Sequence, residues 1–170
     1  YVFTLNAFPY GTVHGVPVKQ DVYAPDWTHA ERVRYTLACI DVLTALLPEG
    51  VDGSISTVPV GFRGACDAPN AMAKVVSHML QCVAHMVGIK RQTGKHIALA
   101  LEPEPACYLE TTQEASHFIQ THVRSPRAVA ELAQALACST ELAQQALAEH
   151  LGCVSTFATV LSNLKTLRLL

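Results

Sequence analysis

The segment HIALALEPEPACYLE, residues 96–110, decides the fold. Five consecutive apolar residues, Ile97 to Leu101, run straight into Glu102 and Glu104, with only Pro103 between the two acids. The run does not alternate. An unbroken apolar stretch of strand length that follows a helical pattern suits a parallel strand covered on both faces. Parallel α/β architectures bind ligands at the carboxyl ends of their strands, where Glu102 and Glu104 fall. A glutamate there is placed to hold a hard divalent cation or to move a proton. Side chains at i and i+2 of an extended segment share a face, so both carboxylates are expected to converge on one site, with Pro103 and Pro105 stiffening the rim. The competing reading leaves one glutamate solvated and has the other cap the next helix or pair with Lys95 or Arg91.

Outward from this segment, a strand is expected at residues 1–7 (YVFTLNA) and another at 53–60 (GSISTVPV). Between them Ala30, Val33, Leu37, Ile40 and Leu47 recur at helical steps, with Asp26 as the expected cap and Pro48 as the stop. A second helix starts near Asp67 and Pro69 and carries Met72, Val75, Val76, Met79, Leu80, Val83 and Val87 down to Gly94. Helical patterns return at 112–123, at 126–137 and from 139 to about 151. The order β-α-β-α-β-α implies right-handed crossovers and a parallel sheet. Either an open doubly wound sheet or part of a (β/α)8 barrel satisfies it. Closing a barrel takes roughly 200 residues or more, so a barrel reading makes this chain an incomplete one.

The chain has 170 residues, half of them hydrophobic and only 15% charged, which suits a globular domain and is too apolar for disorder. A net charge of -2 without a Lys/Arg run argues against a nucleic-acid partner. No apolar run has the roughly 18 residues of a membrane span, and no signal peptide is visible, although the chain begins at Tyr1 rather than Met. The six cysteines include no Cys-x-x-Cys pair, and they read as reduced thiols of a cytoplasmic protein.

Other residues invite chemistry less strongly. His14 sits between Gly11 and Gly15 in a long loop, with Lys19 and Asp21 beyond, and is read as a substrate contact or a surface histidine. Ser54, Ser56 and Thr57 offer hydroxyls that either meet a polyol or bond to backbone. Glu110 precedes a helix capped by Thr111 or Thr112 and is a secondary candidate. His78 and His85, seven apart, and His117 and His122, five apart, miss the i, i+4 spacing of a metal clamp. No G-x-S-x-G or phosphate-binding loop is present.

At YVFTLNAFPYGTVHG, VYAPDW, LLPEGVDGSISTVPVGF and LALEPEPACYLE the chain resembles the EboE family of metabolite traffic proteins. These belong to the xylose isomerase-like, sugar phosphate isomerase/epimerase TIM barrels. The resemblance runs from Tyr1 to about Gly152. It implies a partial TIM barrel over residues 1–152, incomplete at both ends, since a full family member is more than twice as long. It implies Glu102 as a metal ligand, with Mn²⁺, Mg²⁺ or Zn²⁺ as the ion. Glu104 and His14 then take the catalytic roles, and His14 and Lys19 contact a small polyhydroxy metabolite. The reaction implied is metal-assisted isomerisation or epimerisation, in a bacterial pathway that processes or exports a secondary-metabolite precursor. Other proteins of that pathway are the expected partners. The alternative is a non-catalytic metabolite-binding or scaffold barrel, this chain being an inactive truncated fragment.

The family text continues after HLG with a metal-binding strand, whereas residues 153–170 read CVSTFATVLSNLKTLRLL. Read one base earlier, the codon of Thr156 becomes compatible with Asp, that of Thr159 with His, and those of Asn163 and Lys165 with Glu. The expectation is a divergent tail at 153–170 produced by an out-of-frame reading. A genuine terminal helix is the alternative.

Overall fold

The computed structural model describes residues 1–10 and 21–153. The elements run β1 (Thr4–Asn6), α1 (Ala30–Leu46), β2 (Gly53–Thr57), α2 (Ala71–Thr93), β3 (Ile97–Leu101), α3 (Thr112–Phe118), α4 (Pro126–Leu136), α5 (Thr140–His150) and β4 (Leu151–Cys153). A short 3-10 turn at Asp21–Tyr23 precedes α1, and a π-helical turn at Ile119–Val123 continues α3. The four strands form one parallel sheet in the order β1-β2-β3-β4. The fold is therefore α/β, as the alternation of patterns predicts. A doubly wound sheet reverses its strand order at a switch point, and these four strands contain no such reversal.

The register divides the sheet into two unlike faces. A Cβ built on Gly53 would lie 3.1–3.2 Å from Leu43 and Leu47 of α1 and from Ile97, so this face carries the helices. Ile55, Thr57, Leu99 and Leu101 share it by alternation along paired strands. The opposite face carries Thr4 and Asn6, Ser54 and Ser56, Ala98 and Ala100, and Gly152. Its residues are small, polar on β1 and β2 and alanine or glycine on β3 and β4, exposed at Thr4 and Asn6 and buried at Ala98, Ala100 and Gly152. All five residues of β3 are at most 4% exposed, as the unbroken apolar run predicts.

The α2 stripe Val75, Val76, Met79, Leu80, Val83 and Val87 is buried, and the helix packs against α1, α4 and α5 as well as β3. Gly94 stops it in the left-handed region, at φ 73°. Among the described residues α2 alone is long and apolar enough to cross a membrane, and 50% of that window is buried inside the fold. Ser125 and Ser139 cap α4 and α5, and Thr111 with Glu114 forms a capping box on α3. Cys39, Cys66, Cys82, Cys107 and Cys138 are free thiols. Burial pushes the Cys82 thiol up to about 12.

Several boundaries differ from the sequence reading: β1 covers only Thr4–Asn6 of the strand expected at 1–7, and β2 ends at Thr57 rather than at residue 60. Asp26 does not cap α1: its carboxylate accepts from the Thr28 N–H at 2.8 Å, closing a turn, and the helix starts after His29. The last helix ends at His150 rather than Leu151, because Leu151–Cys153 joins the sheet beside β3. Of the tail expected at 153–170, Cys153 is the end of β4; residues 154–170 lie outside the described residues.

Candidate functional site

The carboxyl end of the sheet is assembled from the segments that follow β1, β2 and β3. The Glu102 N–H donates to the Thr57 carbonyl at 3.1 Å, so the ladder between β2 and β3 extends one step past β3. Glu102 thereby continues the alternation of Ala98 and Ala100 on the small polar face, beyond Ser54 and Ser56. Its carboxylate is half-buried and, among the described residues, has neither a hydrogen bond nor an ion pair. It is not paired with Lys95, whose ammonium donates to the Thr44 carbonyl at 2.7 Å. Neither acid caps the following helix, a role filled by Thr111 and Glu114.

Glu104 is half-buried in a different setting. Its N–H donates to the Leu109 carbonyl at 3.1 Å and its carbonyl accepts from the Cys107 N–H at 3.2 Å, which closes a turn. The regular alternation expected to align the two acids thus ends at Glu102. Glu104 lies near Tyr23 and Cys107, which hydrogen-bond to each other. Burial, then the Cys107 thiol and then the Glu104 charge raise the Tyr23 phenol above its usual range. Burial likewise raises Cys107, opposed by the Tyr23 hydrogen bond. The Tyr23 ring stands 5.4 Å from Phe8 and 5.7 Å from Phe62, centroid to centroid, giving the rim an aromatic wall. No residue spacing in the sequence announces this Tyr23–Cys107–Glu104 grouping, because its members come from two separate loops.

The loops after β2 and β3 are tied together. Arg63 N–H donates to the Ala106 carbonyl and Tyr108 N–H to the Gly61 carbonyl, both at 2.9 Å, and Phe62 bridges to Cys107. Glu110 clamps the same turn by accepting from the Ala106 N–H at 2.7 Å and from Arg63. The Arg63 guanidinium and that N–H hold its carboxyl below the usual range. Glu110 is therefore a brace of the rim. Gly61 leaves no room for a side chain, since a Cβ there would meet Asp26 at 2.8 Å. Val60 has φ 74°, a strained conformation for a β-branched residue, and its carbonyl accepts from the Trp27 N–H at 2.9 Å.

Two buried polar groups at this end, Arg32 and Trp27, escaped the sequence reading, and the Thr57 hydroxyl lacks the backbone bond that was one of its two expected roles. Arg32 is 0% exposed and spends its guanidinium on the carbonyls of Pro25 at 2.6 Å, Ala7 at 2.8 Å and Phe8 at 3.2 Å, fastening the chain after β1 to α1. Thr57 Oγ1 and Trp27 Nε1 are buried without a hydrogen-bond partner among the described residues. Buried polar atoms in folded proteins nearly always have one. Of the sequence-predicted hydroxyls, Ser54 donates to Thr4 Oγ1 at 3.1 Å, across the polar face.

His14 and Lys19 lie outside the described residues. His78 is spent on the Trp27 carbonyl at 2.8 Å and His85 on Asp41 at 2.6 Å, while His122 stacks on Phe118, which accords with structural roles. Around Glu102 no set of three His, Cys, Asp or Glu donors comes together among the described residues. One such set, His96, Glu149 and His150, forms at the opposite end of the sheet. Cavities of about 370 Å³ beside α2 and α4, 400 Å³ beside α3 and 280 Å³ beside α5 are lined by neither strand-end acid. No family model, no curated protein and no solved structure matches the chain.

Proposed function

We propose that this chain supplies four consecutive strands of a (β/α)8 barrel of the xylose isomerase-like type, with the helices that connect them, and that the carboxyl end of its sheet binds a small polyhydroxy metabolite. The barrel reading draws on the EboE resemblance and on a strand order that never reverses. The binding reading is carried by the Glu102 carboxylate, half-buried, unspent and set at the end of a face of serine, threonine, asparagine and alanine. A carboxylate accepts from two neighbouring hydroxyls at once, and small residues beneath it leave room for a sugar-sized ligand. The strained Val60 backbone at the same rim supports the location.

Catalysis is the second reading, favoured by Glu104 standing beside the hydrogen-bonded Tyr23 and Cys107. In it Glu104 moves a proton between neighbouring carbons, assisted by His14 and Lys19. Among the described residues no three metal-ligating side chains gather at this end, so Glu102 is read as one ligand of Mn²⁺, Mg²⁺ or Zn²⁺ and no step is derived through the ion. The unpaired described thiols support a reducing, cytoplasmic compartment, where the other proteins of the same metabolite pathway would be partners.

Calorimetric titration of the full chain with a panel of five- to seven-carbon polyols, ketoses and their phosphates tests the binding reading. Glu102→Gln is expected to weaken the best ligand about tenfold, since a hydrogen bond to a charged group contributes about 1.5–3 kcal/mol. Unchanged affinity in that variant would remove Glu102 from the site. Deuterium incorporation from D₂O at a ligand carbon selects the enzyme, and binding without exchange selects the carrier.

A further inference from the structure

We propose that His96, Glu149 and His150 form a zinc site at the amino end of the sheet, which pins the end of α5 to the start of β3. His96 immediately precedes β3, and Glu149 and His150 are the last two residues of α5. The parallel pairing of Leu99 with Leu151 brings them to the same end of adjacent strands. One donor atom from each of the three side chains lies within 4.8 Å of the other two. Zinc–nitrogen and zinc–oxygen bonds of about 2.0–2.2 Å hold tetrahedral donors about 3.4 Å apart. Side-chain rotations that draw the three donors roughly 1 Å closer complete the site.

The surroundings of the three residues orient them as metal-binding groups are oriented. His150 is 1% exposed and its Nδ1 lies 2.6 Å from the Ile97 carbonyl, which fixes the proton on Nδ1 and leaves Nε2 bare. His96 Nδ1 lies 3.5 Å from an Asp52 carboxylate oxygen, and its Nε2 lies 3.2 Å from the Glu149 carbonyl. As the ring stands its Nε2–H donates to that carbonyl, so binding an ion through Nε2 moves the proton to Nδ1, on the Asp52 side. Histidines that bind metals characteristically give their other ring N–H to a carboxylate or a backbone carbonyl. The two rings lie 4.9 Å apart.

The Glu149 carboxylate accepts from Lys90 at 2.7 Å and Gln145 at 2.8 Å, one donor on each oxygen, so each oxygen keeps a further lone pair. Two imidazoles and one carboxylate suit zinc and leave a fourth position open, whereas calcium and magnesium prefer oxygen throughout. The cavity of about 280 Å³ lined by Glu149 and His150 gives an ion and its water access. None of these residues takes part in the proposed metabolite site, which lies at the other end of the strands.

Chelator-stripped full-length protein titrated with Zn²⁺ tests the proposal, with Co²⁺ absorbance reporting the ligand geometry. One Zn²⁺ per chain is expected, with visible Co²⁺ bands of a four-coordinate site and a higher melting temperature in zinc. His96→Gln and Glu149→Gln change half-buried side chains and spare the buried His150. Each is expected to weaken Zn²⁺ at least tenfold while keeping the native circular dichroism spectrum. His117→Gln, at an exposed histidine, should bind as the native chain does. Absence of stoichiometric zinc uptake, or uptake indifferent to both His96→Gln and Glu149→Gln, would overturn the proposal.

Discussion

At the scale of single residues, what distinguishes the carboxyl end of the sheet is how its polar groups are spent. Arg32 is fully buried and gives three hydrogen bonds to backbone carbonyls, while the half-buried Glu102 carboxylate is unused among the described residues. The sequence marked Glu102 by its place after an apolar run but gave no such sign for Arg32. The Arg32 contacts are made with segments up to 25 positions away. Thr57 presents the converse case, a hydroxyl facing the helix layer with no partner among the described residues. An unsatisfied buried hydroxyl costs about 1–3 kcal/mol. Thr57→Val is therefore expected to raise the unfolding free energy by about 1 kcal/mol in urea denaturation. A less stable variant would mean that the hydroxyl has a partner.

At the scale of elements, local pattern and packing separate cleanly on two glycines. Gly88 lies inside α2, where a Cβ would meet nothing within 4 Å. Gly88→Ala is expected to stabilise the chain by about 1 kcal/mol, the helix-propensity difference between the two residues. Gly53 begins β2 under α1, where a Cβ would press on Leu43, Leu47 and Ile97. Gly53→Ala is expected to cost about 1–3 kcal/mol, as overpacking does. Thermal melts of the two variants should move in opposite directions, and a shared sign would contradict the packing of α1 on β2. Helices were legible because α2 repeats its apolar residues over six turns, and β3 because its run is unbroken. The start of α1 was not legible: Asp26 has the chemistry of a cap, but its carboxylate closes the preceding turn instead.

At the scale of the whole molecule, β1 is the outer strand of the sheet among the described residues, and Tyr1, Val2 and Phe3 just before it are exposed at 102%, 37% and 51%. An outer strand flanked by exposed apolar residues pairs readily with another chain. Sedimentation velocity is expected to show association that grows with concentration and is reduced by Phe3→Lys. Association unaffected by that charge would place the contact elsewhere. The sequence by itself determined the succession of strands and helices, the parallel pairing it entails, and the burial of β3, because periodicity and apolar runs are properties of neighbouring residues. Only the tertiary structure decided that β4 joins the sheet, that Glu102 meets no partner among the described residues, and that His96 meets Glu149 and His150. Each of these depends on contacts between segments far apart in the chain, such as His150 on the Ile97 carbonyl 53 positions away, and no local pattern encodes which distant group will be there.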